Sequence, residues 1–158
     1  MLGPLGGTLP ELYILAMGGG GVSGLIVDSG ALVSCCTEAE WPNYKTEAAA
    51  RAFNLRSVTG QQIQHFGVKR GVELRGTEGQ VMRGDFQVTS CARSVLSVAE
   101  RARAGNLVVL GPNIANIVTN PSAVASIQKQ LPAAAGIDIE NVGGQCVLTA
   151  TEARADIA

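Results

Sequence analysis

The sequence predicts an all-β domain, and three observations support this fold class. The 158 residues include 20 glycines but only three Phe, two Tyr and one Trp, a composition typical of short strands joined by tight turns. Val72 and Leu74 alternate with charged residues, and Phe86 and Val88 alternate with polar residues, which is the period of half-buried strands. Glycines also punctuate residues 60–84. The hydrophobic content of 46% is enough for one compact core.

The first elements are expected to be short strands. Residues 13–17 and 22–27 are apolar runs separated by consecutive glycines at 18–21, which predicts a β-hairpin. Leu32 and Val33 allow another short strand. The chain therefore begins as strands joined by glycine-rich turns.

The middle of the chain predicts a loop, a helix and a turn. Trp41-Pro42 marks the loop, and Thr46 is expected to cap a short helix over residues 47–53. Residues 77–79, with the sequence TEG, are expected to turn between the two alternating strands.

Later in the chain, Ser97 predicts the start of a short helix that closes at Gly105. Further elements are expected beyond it: an apolar strand at residues 107–110, a helix at 122–131, an apolar segment at 146–148 and a frayed polar tail at 149–158.

Composition argues against several kinds of partner. The formal net charge is −1 and the 12 basic residues are scattered, so no nucleic-acid footprint is predicted. The most apolar stretch, residues 12–27, is shorter than the roughly 20 residues of a membrane-spanning helix and is broken by glycines. Residues 1–10 lack the basic opening of a signal peptide. We expect neither a membrane nor a nucleic acid as partner.

The cysteines and the single histidine do not suggest a metal or cofactor. Cys35 and Cys36 are neighbours, a spacing that suits neither a disulfide framework nor a tetrahedral zinc site. Reduced cysteines in a cytoplasmic chain are the simpler interpretation. His65 lacks a partner at recognisable spacing, so a strand or flap side chain is favoured over a ligand or general base.

Asp28 is the candidate catalytic residue. It follows three apolar residues and precedes Ser29 and Gly30, so a strand is expected to turn sharply there and to hold the carboxylate rigidly. Gly30 would let the backbone approach closely, and the Ser29 hydroxyl could form supporting hydrogen bonds. A turn aspartate that bonds only its own backbone is the competing interpretation.

Metal-free peptide hydrolysis without a covalent intermediate needs two carboxylates, because one accepts a proton while the other donates one. Asp85, Asp138 and Asp156 lack the apolar lead-in and the small-residue turn of Asp28. The second carboxylate is therefore expected from another copy of the chain, in a symmetric homodimer whose two Asp28 side chains meet at the two-fold axis.

Two other motifs are weaker. Residues 19–24 fit the pattern GxGxxG, but that dinucleotide fingerprint must open a helix, whereas the apolar residues 25–27 continue a strand. Ser29 lacks the Gly-x-Ser-x-Gly elbow of a nucleophilic serine. We favour a hairpin turn for the first motif and a supporting role for the second.

Three segments resemble the protease region of copia-type retrotransposon polyproteins, within the retropepsin family. They are LIVDSGALVSCC at residues 25–36, VTGQQIQHFGVKRGVEL at 58–74 and FQVTSCARSVLSVAERARAGNLVVLGP at 86–112. The resemblance implies an all-β, retropepsin-like fold with one lobe per chain, a closed barrel-like sheet, a flap hairpin and one short late helix. It covers a domain at residues 12–117, followed by an extension or polyprotein connector at 118–158.

The resemblance also implies roles for individual residues. Asp28 would be the catalytic acid and base, with Ser29 and Gly30 as its supporting loop. Ala31 would contact the substrate backbone. Thr59, Gly60 and Gln61 would form the flap tip that covers an extended peptide. No metal or cofactor is required.

The implied function is a homodimeric aspartic endopeptidase that processes its own polyprotein. A degenerate, inactive protease fold serving as a structural or interaction module is the alternative. The Ala/Gly-rich C-terminal part and the Cys35-Cys36 pair, which depart from the family pattern, motivate this second hypothesis.

Overall fold

The computed structural model describes residues 25–57, 59–76, 78–131, 139–142 and 145–147. These residues form mostly β-structure, with eleven strands and two helices. The strands are β1 Ile26–Asp28, β2 Cys35–Cys36, β3 Leu55–Arg56, β4 Gln62–Ile63, β5 His65–Arg75, β6 Val81–Thr89, β7 Val95–Ser97, β8 Leu107–Gly111, β9 Ile114–Val118, β10 Glu140–Val142 and β11 Gln145–Val147. The helices are α1 Val98–Arg103 and α2 Pro121–Gln130. A predominantly β chain is confirmed.

The largest sheet contains five strands in the order β1-β7-β2-β6-β5. β5 and β6 form an antiparallel hairpin, and the predicted turn at residues 77–79 falls between them. A hydrogen bond of 2.7 Å from the Gly76 amide to the Gln80 carbonyl closes this turn. β2 runs parallel to β6 and antiparallel to β7. Three two-stranded sheets complete the described strands: β3-β4, β8-β9 and β10-β11.

The five-stranded sheet is open, which corrects the expected closed, barrel-like sheet. In the described part of the chain, β1 and β5 are its two edges and do not pair with each other. Closure requires edge strands to pair along their length with a fixed stagger. β1 has three residues whereas β5 has 11, so β1 offers too few backbone groups to close the sheet.

The helix predicted at residues 47–53 does not form, and that prediction is wrong. Glu47 instead makes a β-bridge with Val68, with two hydrogen bonds of 2.9 Å between their backbones. Gly67 permits this approach because its φ is 149° and a Cβ there would collide with the Glu47 carbonyl oxygen. Tertiary pairing therefore outweighs the helix propensity of this alanine-rich segment.

The strand expected at Leu32 and Val33 is also displaced. Both residues lie in a bend, and the strand forms instead as β2, where Cys36 pairs with Val88. The predicted hairpin at residues 13–27 lies outside the described residues, except for 25–27, and so does the tail at 149–158.

The late elements match their predictions. α1 begins after Ser97, whose hydroxyl accepts a hydrogen bond of 3.2 Å from the Glu100 amide, and ends before Gly105. β8 covers the predicted strand, and β11 contains most of the predicted apolar segment. α2 spans the predicted helix except for its last residue, Leu131, which is the C-cap. Asn120 caps α2 by accepting hydrogen bonds from the amides of Ser122 and Ala123.

The described residues belong to two compact units. One contains the residues up to Ile26 and Cys35–Leu96, and the other contains Val27–Ser34 and the residues from Ser97 onward. The predicted division after residue 117 stays a prediction. Among the described helices, none has the length and apolar character needed to cross a membrane.

The first unit has a well-buried apolar core. Its side chains of at most 2% exposure are Cys36, Val68, Val72, Phe86, Val88 and Leu96. Trp41 packs against the Phe86 ring with a centroid distance of 4.6 Å. Lys69 is also buried, at 2% exposure, and its ammonium donates to the backbone carbonyls of Glu38, Glu40 and Trp41. These bonds satisfy a charge that would otherwise be costly to bury.

Candidate functional site

Asp28 is the last residue of β1, as the apolar lead-in predicts. The strand is attached to the sheet by a hydrogen bond of 3.1 Å from the Ile26 amide to the Ser94 carbonyl. The Asp28 side chain is half-buried, and its Oδ1 atom accepts a hydrogen bond of 2.7 Å from the Gly30 amide. This bond forms an Asx turn and fixes one carboxylate oxygen. Oδ2 forms no hydrogen bond with the residues that the structure describes.

Gly30 fits closely against this carboxylate. A Cβ atom at position 30 would lie 3.3 Å from Asp28 Oδ1, closer than ordinary van der Waals contact. The sequence-based expectation that Gly30 allows close backbone approach is consistent with this distance. Ser29 is exposed, and its side chain forms no hydrogen bond within the described part of the chain. Other side chains must therefore fix the loop.

Those side chains are Ser34, Ser97 and Glu100, which with Ala31 form a hydrogen-bonded ring within the second unit. Glu100 Oε2 accepts from the Ser34 amide at 2.9 Å, and Ser34 Oγ accepts from the Ser97 amide at 3.0 Å. Ser97 Oγ donates to the Ala31 carbonyl at 2.6 Å. Ser34 and Ser97 are at most 1% exposed, whereas Ala31 and Glu100 are half-buried. The ring connects the loop after Asp28 to the first turn of α1.

The sequence Ser-x-x-Glu at positions 97–100 is that of a helix capping box, a signal that could have drawn attention to Ser97 and Glu100. In an ordinary capping box the Glu side chain accepts from the amide of the capping Ser. Here the Ser97 amide donates to the Ser34 hydroxyl, and the Glu100 carboxylate accepts from the Ser34 amide instead. Ser34, which is 63 positions away from Ser97, is thus inserted into the hydrogen bonding of the capping box. Local sequence patterns could not predict that insertion.

Two apolar side chains near Asp28 are exposed. Val27 precedes it and is 41% exposed, and Leu32 follows it in the same loop and is 50% exposed. Ala31, the predicted contact to a substrate backbone, is half-buried and its carbonyl is already engaged by Ser97. Exposed apolar side chains thus flank Asp28 in sequence, although Val27 lies on the opposite face of β1 from Asp28.

The predicted flap residues lie at the end of the hairpin formed by β3 and β4. Thr59, Gly60 and Gln61 are exposed. The Ser57 hydroxyl bonds to Thr59 Oγ1 at 2.8 Å and accepts from the Gln61 amide at 3.2 Å. Gly60 has a φ of 83°, a conformation that non-glycine residues rarely adopt. The hairpin exists where predicted, in the first compact unit, whereas Asp28 belongs to the second.

The remaining titratable candidates have structural environments. Burial raises the pKa of the Cys36 thiol to about 11, although the nearby Lys69 charge partly opposes this shift. Cys36 is therefore protonated at neutral pH and unsuited to act as a nucleophile. His65 Nε2 lies 2.8 Å from Gln87 Oε1, and the ring packs edge-on against Phe53. Within the described ranges, no three His, Cys, Asp or Glu side chains are arranged to hold a metal ion.

The arrangement at Asp28 defines what the site can do chemically. One carboxylate oxygen is fixed by a backbone amide, and the other can accept a proton from a water molecule. Comparison with known proteins adds no further constraint, because no protein-family model, curated protein or solved structure matches the chain. The function of the chain must therefore be inferred from this carboxylate, its loop and the sequence motifs.

Proposed function

We propose that the chain is one subunit of a homodimeric aspartic endopeptidase, with Asp28 from each of two copies forming the catalytic pair. The observation that carries the proposal is how the Asp28 carboxylate is positioned and supported. It lies at a strand end, is oriented by the Gly30 amide, and stands on a loop fixed by buried and part-buried hydrogen bonds. Such rigid support is what a reacting group needs, whereas a surface turn does not require it.

In the proposed reaction, a water molecule between two Asp28 carboxylates attacks the carbonyl carbon of a peptide bond. One carboxylate accepts a proton from the water, and the protonated partner donates to the carbonyl oxygen. Two carboxylates held this close share one proton, because like charges disfavour double ionisation. The tetrahedral diol then collapses as a proton passes to the leaving nitrogen. The products are a free carboxylate and an amine.

The distribution of apolar surface supports a second copy as partner. Most of the large apolar side chains that are exposed in the described residues belong to the unit containing Asp28: Val27, Leu32, Leu110, Ile114, Leu131 and Ile139. Exposed apolar surface is typical of sites that contact another molecule. A dimer would cover part of it and would supply the second carboxylate that one chain lacks.

The proposed substrate is a polypeptide in extended conformation, with the exposed Leu32 favouring an apolar side chain near the cleaved bond. The resemblance to copia-type polyproteins suggests the processing of a retrotransposon polyprotein as the biological setting. It also suggests that Thr59, Gly60 and Gln61 act as a flap. These assignments extend the proposal beyond the Asp28 carboxylate.

The test compares cleavage of a peptide library by the full chain with cleavage by Asp28→Asn, in the presence and absence of pepstatin. Asp85→Asn is a matched control, because Asp85 also accepts a hydrogen bond from a glycine amide, that of Gly71, at 2.8 Å. Asparagine keeps the acceptor oxygen at both positions. We expect Asp28→Asn and pepstatin to abolish cleavage and Asp85→Asn to retain it.

Cleavage that survives in Asp28→Asn would exclude the proposed catalytic pair. Absence of cleavage by the unsubstituted chain, in a sample shown to be dimeric by sedimentation, would favour the structural module instead. A chain that stays monomeric at high concentration would contradict the shared site.

A further inference from the structure

The loop of residues 29–34 determines where the Asp28 carboxylate lies, yet much of it has no regular secondary structure. The Asx turn is local and sets the carboxylate only relative to Gly30. The position of the loop in the unit depends on hydrogen bonds with α1 and its cap. Ser97 Oγ donates to the Ala31 carbonyl, and the Ser97 amide donates to the Ser34 hydroxyl. The Ser34 amide donates to the Glu100 carboxylate.

Glu100 contributes a carboxylate to this network. A hydrogen bond from an amide to an ionised carboxylate is roughly twice as strong as one between neutral groups. If Glu100 served only to cap α1, its side chain would accept from the Ser97 amide. That amide donates to Ser34 Oγ, and Glu100 bonds the loop instead. The carboxylate therefore stabilises the loop directly, and the start of α1 only through Ser34.

We propose that Glu100 is a positioning residue for Asp28, acting through the buried hydroxyls of Ser34 and Ser97. The inference rests on the proposed function for its catalytic consequence, but its structural part does not. Glu100 lies 72 positions after Asp28 in the sequence and touches neither the carboxylate nor the proposed water. Its effect is transmitted along the loop from Ser34 to Gly30.

The experiment compares Glu100→Ala with Glu100→Gln in the full chain. Gln keeps an oxygen that can accept from the Ser34 amide, whereas Ala removes it. Small displacements of catalytic groups can reduce rates by about a hundredfold. We expect Glu100→Ala to lower kcat for the best library peptide by about ten- to a hundredfold with little change in KM, and Gln to restore most of it.

Asn120→Ala is the matched control. It also removes a side-chain acceptor from the start of a helix, since Asn120 Oδ1 accepts from the amides of Ser122 and Ala123 at 2.9 and 3.1 Å. The loss of thermal stability should be similar for the two alanine variants, because each loses a side-chain oxygen that accepts from backbone amides. Only the Glu100 variant should lose kcat.

Hydrogen exchange at the Gly30 amide provides a readout that does not depend on activity. We expect exchange at Gly30 to accelerate several-fold in Glu100→Ala, to recover in Glu100→Gln, and to stay unchanged in Asn120→Ala. If the unsubstituted chain cleaves no peptide but Gly30 responds in this way, the proposed function fails and the positioning role stands. Unchanged Gly30 exchange in Glu100→Ala overturns the positioning role, as does unchanged kcat in an active enzyme.

Discussion

The loop after Asp28 and the tip of the β3-β4 hairpin both carry predicted site residues, but they are held in different ways. Hydrogen bonds to the loop come from Ser97, Glu100 and Arg103, which lie 63 to 71 positions away, in and before α1. The tip is held by bonds between residues two to four positions apart, such as those from Ser57 and Arg56. The shape of the loop thus depends on tertiary structure, whereas the tip is a self-contained turn. This difference is what the proposed catalytic group and the proposed flap would require.

Native-state hydrogen exchange should show the largest contrast between the two regions. The Ser34 and Ser97 amides are buried and bonded within the ring, so their exchange should require opening of the unit. The Gln61 amide is bonded in an exposed turn and should exchange through local opening. We expect Gln61 to exchange at least about a hundredfold faster than Ser34. Equal rates would remove the distinction between loop and tip.

Replacing one serine in each region should sharpen the comparison. Ser97→Ala removes the helix cap and the donor to the Ala31 carbonyl in a fully buried position, so it should lower the free energy of unfolding by about 2 kcal/mol. Ser57→Ala removes exposed bonds that water replaces, and should change it by less than about 0.5 kcal/mol. Urea unfolding of both variants measures this difference. A larger loss of unfolding free energy for Ser57→Ala than for Ser97→Ala would contradict the proposed contrast between the two regions.

Glycine substitutions test the two regions in another way. Gly60→Ala should cost about 1 kcal/mol, because φ is 83° there while no atom lies within 4 Å of the added Cβ. Gly30→Ala should cost less stability, since its Cβ only presses on the Asp28 carboxylate at 3.3 Å. Its main effect should be a lower kcat. Thermal unfolding and steady-state kinetics of the two variants separate backbone strain from crowding.

The smallest expected effect comes from replacing Cys36, which lies in β2 directly after the loop. Cys36 is fully buried, and its pKa is raised from 9.0 to about 11 mainly by burial. The thiol is thus deprotonated more readily in the unfolded chain, so its contribution to stability is intact below pH 9 and is lost as the pH rises towards 11. Cys36→Ala should show a smaller fall in melting temperature between pH 8.5 and about 10.5 than the unsubstituted chain.

An identical fall in both proteins would show that the thiol does not titrate as its burial implies. Cys91→Ala serves as the control, because Cys91 is only half-buried.

The parts of the fold that were predictable depend on local signals. The cap at Ser97 predicted α1, and the alternation around Val72 and Phe86 predicted the β5-β6 hairpin. The alanine-rich residues 47–53 misled because their local helix propensity is overridden by the bridge between Glu47 and Val68. The open form of the five-stranded sheet was not predictable from periodicity, which indicates which face of a strand is buried but not how long an edge strand is.

In the candidate site, too, local features were predictable from the sequence and contacts between distant residues were not. Asp28 and Gly30 were recognisable because the Asx turn is encoded within three residues. Ser34 and Glu100 were not singled out, since their bond joins residues 66 positions apart. A Ser-x-x-Glu pattern indicates a capped helix, but it gives no hint that a distant serine enters the box.

The buried ammonium of Lys69 has a consequence for how the loop around Trp41 is maintained. Three main-chain oxygens converge on this cation, much as oxygen ligands converge on a bound metal ion. Because the charge is covalently attached to β5, neither chelating agents nor dialysis can extract it. Acylating reagents would reach the amine only after the surrounding structure opens, since just 2% of the residue is accessible.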